Sequence, residues 1–496
     1  MEITDEKDLA GLPDFVCEAA KITAQEKNKS GWVFTLQTPS YLPFVTYAEN
    51  RELRKKIAVA FNARAFHGDE NDNQLIVKDL VKLRHERAKL LGYVSHAHFV
   101  LEERMAGSPE KVIAFLEEMY NYAKPVAEKQ MQELLEYAES QGFTDEKLQR
   151  WDYAFYSEKL KKEKYAIDDE MLKPYFKLEN VIEGVFTVAS KLFGLQFKAN
   201  KLIPVYHQEV TAYDVLDEKG DFVAVFYADF FPRTGKRNGA WMTSFREQKV
   251  LKGKDLRPHV SIVCNFTKPT DTKPSLLTFD EVTTLFHEFG HALHGMLSAC
   301  KYGGTSGTNV YWDFVELPSQ IMENWCFEKE ALDIFARHYQ TNEPILQELI
   351  AKIKASANFM EGYATMRQLS FAILDMAYHA KAEEIIDVAE FEKQAIAKTS
   401  LFPDVAGTNS SVGFSHIFAG GYSAGYYSYK WAEVLDADAF DYFKQEGIFN
   451  KEIANSFRTN VLAKGGSENP MALYKRFRGQ DPSPKALLKR AGLLQE

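Results

Sequence analysis

The sequence of 496 residues predicts a mainly α-helical fold that contains one small antiparallel β-sheet. Two observations carry this prediction. Apolar residues recur at helical spacing along most of the chain, and alternating β-branched and aromatic runs are confined to the region between 205 and 266. The chain also lacks internal repeats and Pro- or Ser-rich linkers. We therefore expect one mostly helical body into which a small sheet is inserted.

An early helix is predicted from an apolar stripe made by Ile76, Leu80, Leu83, Leu90 and Leu91. Their spacing places these side chains close together on a helix surface. Such a stripe is typical of a helix face that packs against a core. We predict that these side chains are buried and carry no chemistry.

A second helix is predicted after residue 107. Ser108 is a suitable N-cap and Pro109 suits the first helical position. Val112 and Met119 then fall on one apolar face. Proline removes a backbone donor within a helix, so Pro125 is expected to kink or end this helix.

The β-rich region is predicted to form a small antiparallel sheet. Two runs within 205–231 flank the turn signal at 218–221, which indicates a hairpin. A further strand is predicted within 258–266. Between them lies an edge-like run that carries Gly235 and Gly239. The sheet therefore lies just upstream of the histidine-rich motif described below.

The composition excludes several classes of protein. The chain has 45% hydrophobic and 26% charged residues, which is typical of soluble globular proteins. Its formal net charge of -10 repels phosphate backbones and anionic lipid, so we expect neither nucleic acid nor membrane as a partner. The sequence does not predict the oligomeric state.

The cysteines and the first thirty residues are used to predict the cellular compartment of the protein. Four cysteines lie far apart without CxxC spacing, which favours free thiols over disulfides or a thiolate metal site. The first thirty residues lack the apolar core of a secretory signal, and no stretch reaches the roughly 20 apolar residues of a membrane span. We expect a cytoplasmic location.

A histidine-rich helix is predicted from 279 onward. Thr278 and Glu281 have capping-box spacing just before an apolar run. On this helix His287 and His291 lie one turn apart on one face, so that their imidazoles can bind one ion. Glu288 lies beside them, where it can reach a water without ligating the metal. This is the H-E-x-x-H arrangement of metallopeptidases, although a helix with incidental histidines remains the alternative.

A third metal ligand is predicted in the next helical pattern. Catalytic zinc takes three protein ligands and leaves a fourth position for water. Glu316 lies at the beginning of that pattern, and Glu323 lies seven residues later on the same face. We interpret Glu316 as the ligand and Glu323 as an acceptor that holds a ligand imidazole. Surface glutamates on an amphipathic helix are the alternative. His294 is interpreted as a packing or outer-shell residue.

A tyrosine-dense segment follows at 414–443. Gly420 and Gly421 permit an unusual turn, and His416 and Tyr422 could place neutral donors where an oxyanion forms. Dense tyrosines in a core or an interface are the alternative interpretation.

Three motifs resemble the thimet-oligopeptidase family of zinc metallopeptidases, and especially its peptidyl-dipeptidase and oligopeptidase A branches. They are HEFGHALHG at 287–295, DFVELPSQ at 313–320 and HIFAGGYSAGYYSY at 416–429. The resemblance implies one Zn²⁺ and a set of site residues. The implied zinc ligands are His287, His291 and Glu316, and the implied general base is Glu288. The residues implied to face the substrate are His416, Tyr422 and Tyr429, with the tyrosines donating to the oxyanion.

The resemblance also implies an architecture. It implies one zincin-type catalytic region over 1–496, in which two helical lobes flank a deep substrate channel. The approximate lobes are 1–200, which is helical, and 201–496, which holds the sheet, the zinc-binding helices and the carboxyl-terminal helices. Members of the family carry a further amino-terminal helical region, which we expect to be absent here.

The function implied by the resemblance is zinc-dependent hydrolysis of short peptides. We expect a peptidyl-dipeptidase that releases dipeptides from a free C-terminus, with an extended substrate paired along the edge run at 239–243. The first alternative is an oligoendopeptidase of the oligopeptidase A type. A broad endoprotease that digests long or folded substrates is a further alternative. A peptide-binding scaffold with an inactive metal site is the alternative from another class.

Overall fold

The computed structural model describes residues 1–381 and 385–494, and helices dominate these residues. In the first part of the chain the helices are α1 (Asp14–Glu26), α2 (Thr38–Tyr47), α3 (Arg51–Asn62), α4 (Gln74–Leu90), α5 (His96–Leu101), α6 (Pro109–Ser140), α7 (Arg150–Tyr165), α8 (Asp169–Leu172) and α9 (Leu178–Phe193). In the second part they are α10 (Phe279–Met296), α11 (Trp312–Val315), α12 (Leu317–Glu323), α13 (Lys329–Phe335), α14 (Gln347–Ser356), α15 (Glu361–Ala380), α16 (Val388–Ile396), α17 (Ser415–Phe418), α18 (Ser428–Glu446), α19 (Lys451–Phe457), α20 (Pro470–Arg478) and α21 (Pro484–Arg490). The mainly helical prediction is confirmed.

The strands are short and lie mostly between α9 and α10. They are β1 (Glu2–Ile3), β2 (Trp32–Val33), β3 (Gln196–Ala199), β4 (Thr211–Leu216), β5 (Phe222–Asp229), β6 (Trp241–Arg246), β7 (Lys249–Leu251), β8 (Lys254–Leu256) and β9 (His259–Val263). The described chain divides into two compact units. Unit 1 comprises Met1–Lys164, Asn358–Lys430 and Leu488–Glu496, and unit 2 comprises Tyr165–Ala357 and Trp431–Leu487.

In unit 1 the long helix α6 packs along α15. Ser108 caps α6 as predicted, with its side chain accepting from the Lys111 N–H. Of the two outcomes predicted for Pro125, a kink or an end of the helix, the end is wrong, because α6 continues through it to Ser140. A Cβ on Gly362 of α15 would lie 2.7 Å from the backbone nitrogen of Ala127. This close helix-to-helix packing next to Pro125 offsets the backbone hydrogen bond that proline removes.

The buried face of α4 is not the face that the apolar stripe predicts. Ile76, Leu83, Leu90 and Leu91 have exposed fractions of 54%, 59%, 87% and 53%. Leu80 is only partly buried. The residues that are buried instead are Val77, Val81 and Ala88. Both faces repeat at helical spacing, and the smaller residues face the core because neighbouring helices approach α4 on that side.

Unit 2 contains a five-stranded sheet with the order β3-β4-β5-β9-β6. The hairpin is confirmed, since β4 and β5 pair antiparallel across the turn at 217–221. Gly220 adopts φ +87° in that turn. The prediction of a purely antiparallel sheet is wrong, because β5 and β9 are parallel. The chain passes through β6 and the β7–β8 hairpin before β9 enters between β5 and β6, so β9 runs in the direction of β5.

Helix α10 packs on this sheet, mainly against β9, β6 and β5. A Cβ on Gly295 would lie 2.6 Å from the Met242 methyl carbon and 3.0 Å from a Val260 methyl carbon. The absence of a side chain at Gly295 therefore lets the helix lie close to the strands. Strand β6 is at one edge of the sheet, as the sequence predicts for the run around Gly239.

Two further sequence predictions concern the cysteines and membrane-spanning helices. Cys17, Cys264, Cys300 and Cys326 are all free, and the last three are buried. Within 1–381 and 385–494, none of the helices combines the length and the apolar character that crossing a bilayer requires.

Candidate active site

The candidate site begins with the first turn of α10. Thr278 and Glu281 form the predicted capping box, in which the Thr278 side chain accepts from the Glu281 N–H and the Glu281 carboxylate accepts from the Thr278 N–H. The cap fixes where the helix starts and therefore which side chains share each face. His287 and His291 lie one turn apart, and their ring centroids are 5.0 Å apart.

Glu316 reaches the two histidines because α12 packs directly on α10. Glu316 is the residue immediately before α12. The contact between the two helices occurs at Gly290, where a Cβ would lie 2.1 Å from the Pro318 carbonyl oxygen and 2.6 Å from Ser319 Cα. Only glycine permits the backbones to come this close at that position. The glycine between the two histidines thus brings the third candidate ligand within reach.

The structure brings His287, His291 and Glu316 together as a candidate metal site. Glu316 Oε2 lies 3.3 Å from His287 Nε2 and 3.0 Å from His291 Nε2. One donor atom from each of the three residues lies within 4.8 Å of the others. Two imidazole nitrogens and one carboxylate oxygen are a donor set that suits zinc. The Glu316 side chain is 1% exposed, so this carboxylate is removed from water.

Two neighbouring side chains orient these ligands. His287 Nδ1 donates to Glu323 Oε1 at 2.6 Å, which leaves Nε2 directed toward Glu316. This is the contact that the sequence predicted for Glu323. The Ser319 hydroxyl lies 2.9 Å from Glu316 Oε2 and donates to the Glu316 carbonyl oxygen at 2.8 Å. Contacts of this kind fix the direction of a metal ligand and tune its basicity.

The electrostatics of the group favour a positive charge at its centre. Burial opposes charge on His287, but hydrogen bonds and charge interactions with Glu316 and Glu323 outweigh it and raise the pKa of His287 well above its ordinary value. Burial likewise opposes charge on Glu316, yet His291 and His287 together hold its pKa well below the ordinary value. A buried cluster that stabilises a proton in this way is also suited to a metal cation.

Glu288 lies beside this group and is nearly fully buried, with 5% exposure. Its Oε2 has no hydrogen-bond partner among the residues that the structure describes. Burial raises the pKa of Glu288, while the neighbouring His287 and His291 lower it. A buried carboxylate oxygen without a partner is costly unless a ligand or water completes it. Glu288 is therefore available to exchange a proton with a bound molecule.

His294 does not belong to the ligand group. It is completely buried on α10, and burial lowers its pKa to about 3. Neither of its ring nitrogens has a hydrogen-bond partner within the described part of the chain. Of the two interpretations from the sequence, packing therefore fits the structure better than a hydrogen-bonding outer-shell role.

The other three predicted site residues form a second cluster, which lies in unit 1. The rings of Tyr422 and Tyr429 stack with centroids 5.1 Å apart. The His416 ring lies 6.0 Å from Tyr422 and 6.2 Å from Tyr429, between centroids. His416 is exposed and the two tyrosines are half-buried. The three side chains thus present ring faces and polar atoms on one patch of unit 1.

Two residues that shape the metal-ligand group are absent from the sequence prediction. Gly290 controls the approach of α12, and Ser319 contacts the Glu316 carboxylate. The sequence does contain a signal for Gly290, because a glycine inside a helix is unfavourable unless another chain segment passes close to it. The role of Ser319 depends on packing between helices and has no local signal.

Comparisons with known proteins identify the family of this chain. The model of peptidase family M3 matches residues 44–493. Oligopeptidase A of Salmonella typhimurium is 42% identical over 503 residues, which cover 99% of this chain and 73% of the relative. Dipeptidyl carboxypeptidase of the same organism is 38% identical and is covered to the same extents.

A comparison with solved structures concerns the fold. The structure of Pz peptidase A with inhibitor 2 matches with a TM-score of 0.57 at 17% identity, over 97% of this chain and 74% of that chain. At this identity the match supports the fold alone. The extent of the family match and the identity to the relatives go further: the chain belongs to peptidase family M3 and is a metallopeptidase that hydrolyses peptides.

Proposed function

We propose that the protein is a zinc-dependent oligopeptidase that cleaves short peptides at internal bonds. The observation that carries this proposal is the convergence of two imidazoles and one carboxylate next to a buried carboxylate that is free to move a proton. The sequence favoured release of C-terminal dipeptides. The relatives favour internal cleavage instead, because the chain is 42% identical to oligopeptidase A and 38% identical to dipeptidyl carboxypeptidase.

The proposed metal is one Zn²⁺ held by His287, His291 and Glu316. The donor set supports this choice, since zinc binds imidazole and carboxylate ligands in threes at catalytic sites. Glu323 supports it further, because a carboxylate on the second nitrogen of a ligand imidazole is common at such sites. When bound, zinc supplies a Lewis acid that polarises a carbonyl and lowers the pKa of water to near 7.

Glu288 is proposed as the general base. Its free Oε2 would accept a proton from the water that attacks the scissile carbonyl, and the same oxygen would then deliver that proton to the leaving amine. Burial supports this role because it keeps the Glu288 carboxylate away from bulk water, next to the proposed ligands on the same helix. Its place next to His287 on α10 keeps it beside the ligands without making it one.

Tyr422 and Tyr429 are proposed to donate hydrogen bonds to the oxyanion that forms during attack, and His416 is proposed to contact the substrate. Their stacking and partial exposure support this role, because the two rings are held against each other and neither side chain is fully buried. Each such donor typically contributes about 10²- to 10³-fold to the rate.

An extended peptide is proposed to pair with the edge strand β6. Backbone pairing supplies affinity without demanding particular side chains, which suits an enzyme that accepts many short peptides. The support is topological, since β6 bonds to β9 on one side and forms the edge of the sheet on the other. Glycine at 239, with φ +96°, lies at the entrance to this strand.

One experiment separates the candidate functions. A ten-residue peptide is incubated with the zinc-loaded protein, once as the free acid and once as the C-terminal amide, and the products are identified by mass spectrometry. Cleavage of both forms at the same internal bond supports the oligopeptidase. Sequential loss of dipeptides from the free acid alone would instead establish the dipeptidyl carboxypeptidase.

Two controls cover the remaining alternatives. A chelator must abolish cleavage, and restored Zn²⁺ must return it. A protein that binds the peptide without cleaving it would be the scaffold with an inactive metal site. Digestion of casein at a rate comparable to the ten-residue peptide would indicate a broad endoprotease instead of an oligopeptidase.

A further inference from the structure

The backbone that links Tyr422 to Tyr429 in unit 1 adopts an unfavourable conformation. Ala424 has φ +51°, in the left-handed region that residues other than glycine rarely occupy. Ala424 is also completely buried. A conformation of this kind persists only when the surroundings hold it. The segment 422–429 therefore needs a specific support outside its own sequence.

A buried carboxylate on α15 provides that support. Asp375 is completely buried and accepts hydrogen bonds from three consecutive backbone N–H groups. These groups belong to Ala424, Gly425 and Tyr426, at donor-to-acceptor distances of 2.8, 2.8 and 2.9 Å. Oδ1 accepts the first and Oδ2 accepts the other two. Hydrogen bonds to a buried carboxylate are among the strongest available to a backbone turn.

The carboxylate is itself oriented by His379, one turn later on α15. His379 Nδ1 donates to Asp375 Oδ1 at 2.8 Å. On the other side of the ring, the Arg84 guanidinium lies 3.0 Å from His379 Nε2. Because Arg84 can only donate, Nε2 accepts and the hydrogen is on Nδ1. The charge of Arg84 also offsets the charge of the buried carboxylate across the imidazole.

A second histidine holds the same turn from another helix. His96 Nε2 lies 3.0 Å from the Ser423 hydroxyl. Burial lowers the pKa of His96 to about 2, and the Arg87 guanidinium lies 3.4 Å from its Nδ1. Nδ1 is then the acceptor and Nε2 donates to Ser423. Four successive residues of the turn are thus bonded to buried groups.

The geometry points to Asp375 as a positioning residue for catalysis: it holds the 422–429 turn so that Tyr422 and Tyr429 keep their stacked arrangement. Asp375 is completely buried, so in this proposal it acts through the backbone of the turn and not by contact with the substrate. The inference rests on the proposed function of the two tyrosines. A loop donor must be held to a fraction of an ångström to stabilise a transition state. The turn has backbone bonds of its own, such as Gly425 N–H to the Tyr422 carbonyl oxygen at 2.9 Å, and the Asp375 carboxylate adds three acceptor contacts from outside it.

The test uses Asp375→Asn, with Glu392→Gln as its matched control, both in the full zinc-loaded chain. Asn has the size of Asp but replaces one acceptor oxygen by an NH₂ group, which opposes a backbone donor. Glu392 is also a buried carboxylate of unit 1 that accepts backbone N–H groups, those of Ser410 and Ser411. Its turn does not carry the tyrosines.

Four quantities are measured for each variant: amide hydrogen exchange by segment, the zinc content, and kcat and KM for an oligopeptide. For Asp375→Asn we expect exchange of the segment 422–427 to accelerate at least about 10-fold, since the amides of Ala424, Gly425 and Tyr426 in it lose a carboxylate acceptor. We expect kcat to fall by about 10²-fold, with KM within about three-fold and zinc content unchanged. Glu392→Gln should accelerate exchange at 409–412 and leave kcat within about three-fold.

Several results would overturn the inference. Native exchange at 422–427 in Asp375→Asn would show that the carboxylate does not hold the turn. Accelerated exchange with native kcat would show that the held conformation is irrelevant to catalysis. Equal losses of kcat in the two variants would assign the effect to general destabilisation of unit 1. The proposed role of Tyr422 fails separately, if Tyr422→Phe keeps native kcat while Asp375→Asn does not.

A second pair of variants covers the case in which Asp375→Asn does not fold. His379→Asn keeps an N–H donor near the position of Nδ1, whereas His379→Leu removes it. We expect the leucine variant to show faster exchange at 422–427 and lower kcat, and the asparagine variant to lie closer to the native protein. Identical behaviour of the two in both measurements would contradict the role assigned to the carboxylate.

Discussion

The two groups of candidate functional residues are held in different ways. In unit 2 the metal-ligand group is built on regular helices, where the capping box of α10 and the spacing of His287 and His291 determine which side chains meet. In unit 1 the tyrosines flank an irregular turn whose shape depends on Asp375, 49 to 51 residues earlier in the chain. Helical spacing makes the metal-ligand group predictable from the sequence, whereas the arrangement of the tyrosines depends on a long-range contact.

Removal of one metal ligand should have the largest effect. His291→Ala deletes one of two imidazoles, and a carboxylate with a single imidazole is a poor site for zinc. We expect zinc content to fall close to zero and peptide hydrolysis to fall to background. Metal analysis after dialysis and a fluorogenic peptide assay measure the two losses. A variant that keeps both its zinc and its activity would remove His291 from the ligand set.

Glu288→Gln should separate chemistry from metal binding in the same unit. The substitution keeps the shape of the side chain but removes its ability to accept a proton, so kcat should fall by about 10²- to 10⁴-fold. Zinc content should remain native because Glu288 is not a ligand. Metal analysis and kcat measured on one protein sample provide the check. Full activity in the glutamine variant would show that another group acts as the base.

Tyr422→Phe probes the unit 1 cluster in the same way. Loss of one phenol donor should lower kcat by about 10²-fold, with unchanged zinc content. The stacking on Tyr429 is retained because phenylalanine keeps the ring. Tyr427→Phe is a suitable control, since Tyr427 belongs to the same tyrosine-rich segment but is 1% exposed and buried in the core. Equal rates in Tyr422→Phe and the native protein would assign Tyr422 to packing.

Gly290→Ala tests whether close helix packing supports the metal-ligand group. Its Cβ would meet the backbone of Pro318 and Ser319, which cannot move without moving Glu316. We expect a loss of about 1–3 kcal/mol in the free energy of unfolding. Weaker zinc binding should accompany it. Gly295→Ala on the same helix is the control, because its Cβ would meet side-chain ends of Met242 and Val260 instead of the backbone next to Glu316. Equal losses of zinc affinity in the two variants would contradict a specific role for Gly290.

The sequence predicts the elements that depend on local patterns. The start of α10, the pairing of its histidines, the hairpin β4–β5 and the cap at Ser108 all follow from residues close together in the chain. Glu316 was also predictable, because the next helical pattern begins with it. Its approach to the histidines depends on Gly290, whose neighbours across the helix contact lie about 28 residues later.

Features that depend on tertiary contacts could not be predicted in this way. The parallel pairing of β5 with β9 depends on where the chain returns to the sheet, which strand patterns do not encode. Pro125 remains inside α6 because α15 packs next to it. Asp375 looks like any polar residue of an amphipathic helix, and only the structure shows the three backbone donors that surround it.

The smallest predicted effect concerns α4, where two helical stripes compete and periodicity alone selects the wrong one. Val81 is 5% exposed and Leu83 is 59% exposed. Val81→Ala removes about two methylene equivalents from the core and should lower the free energy of unfolding by about 1.5 kcal/mol. Leu83→Ala removes a larger group from the water-exposed surface and should change the free energy of unfolding by less than about 0.5 kcal/mol. Urea unfolding of both variants measures the difference. A larger loss for Leu83 would mean that its face of α4 is covered in solution, since a side chain that stays in water loses no burial when it is shortened.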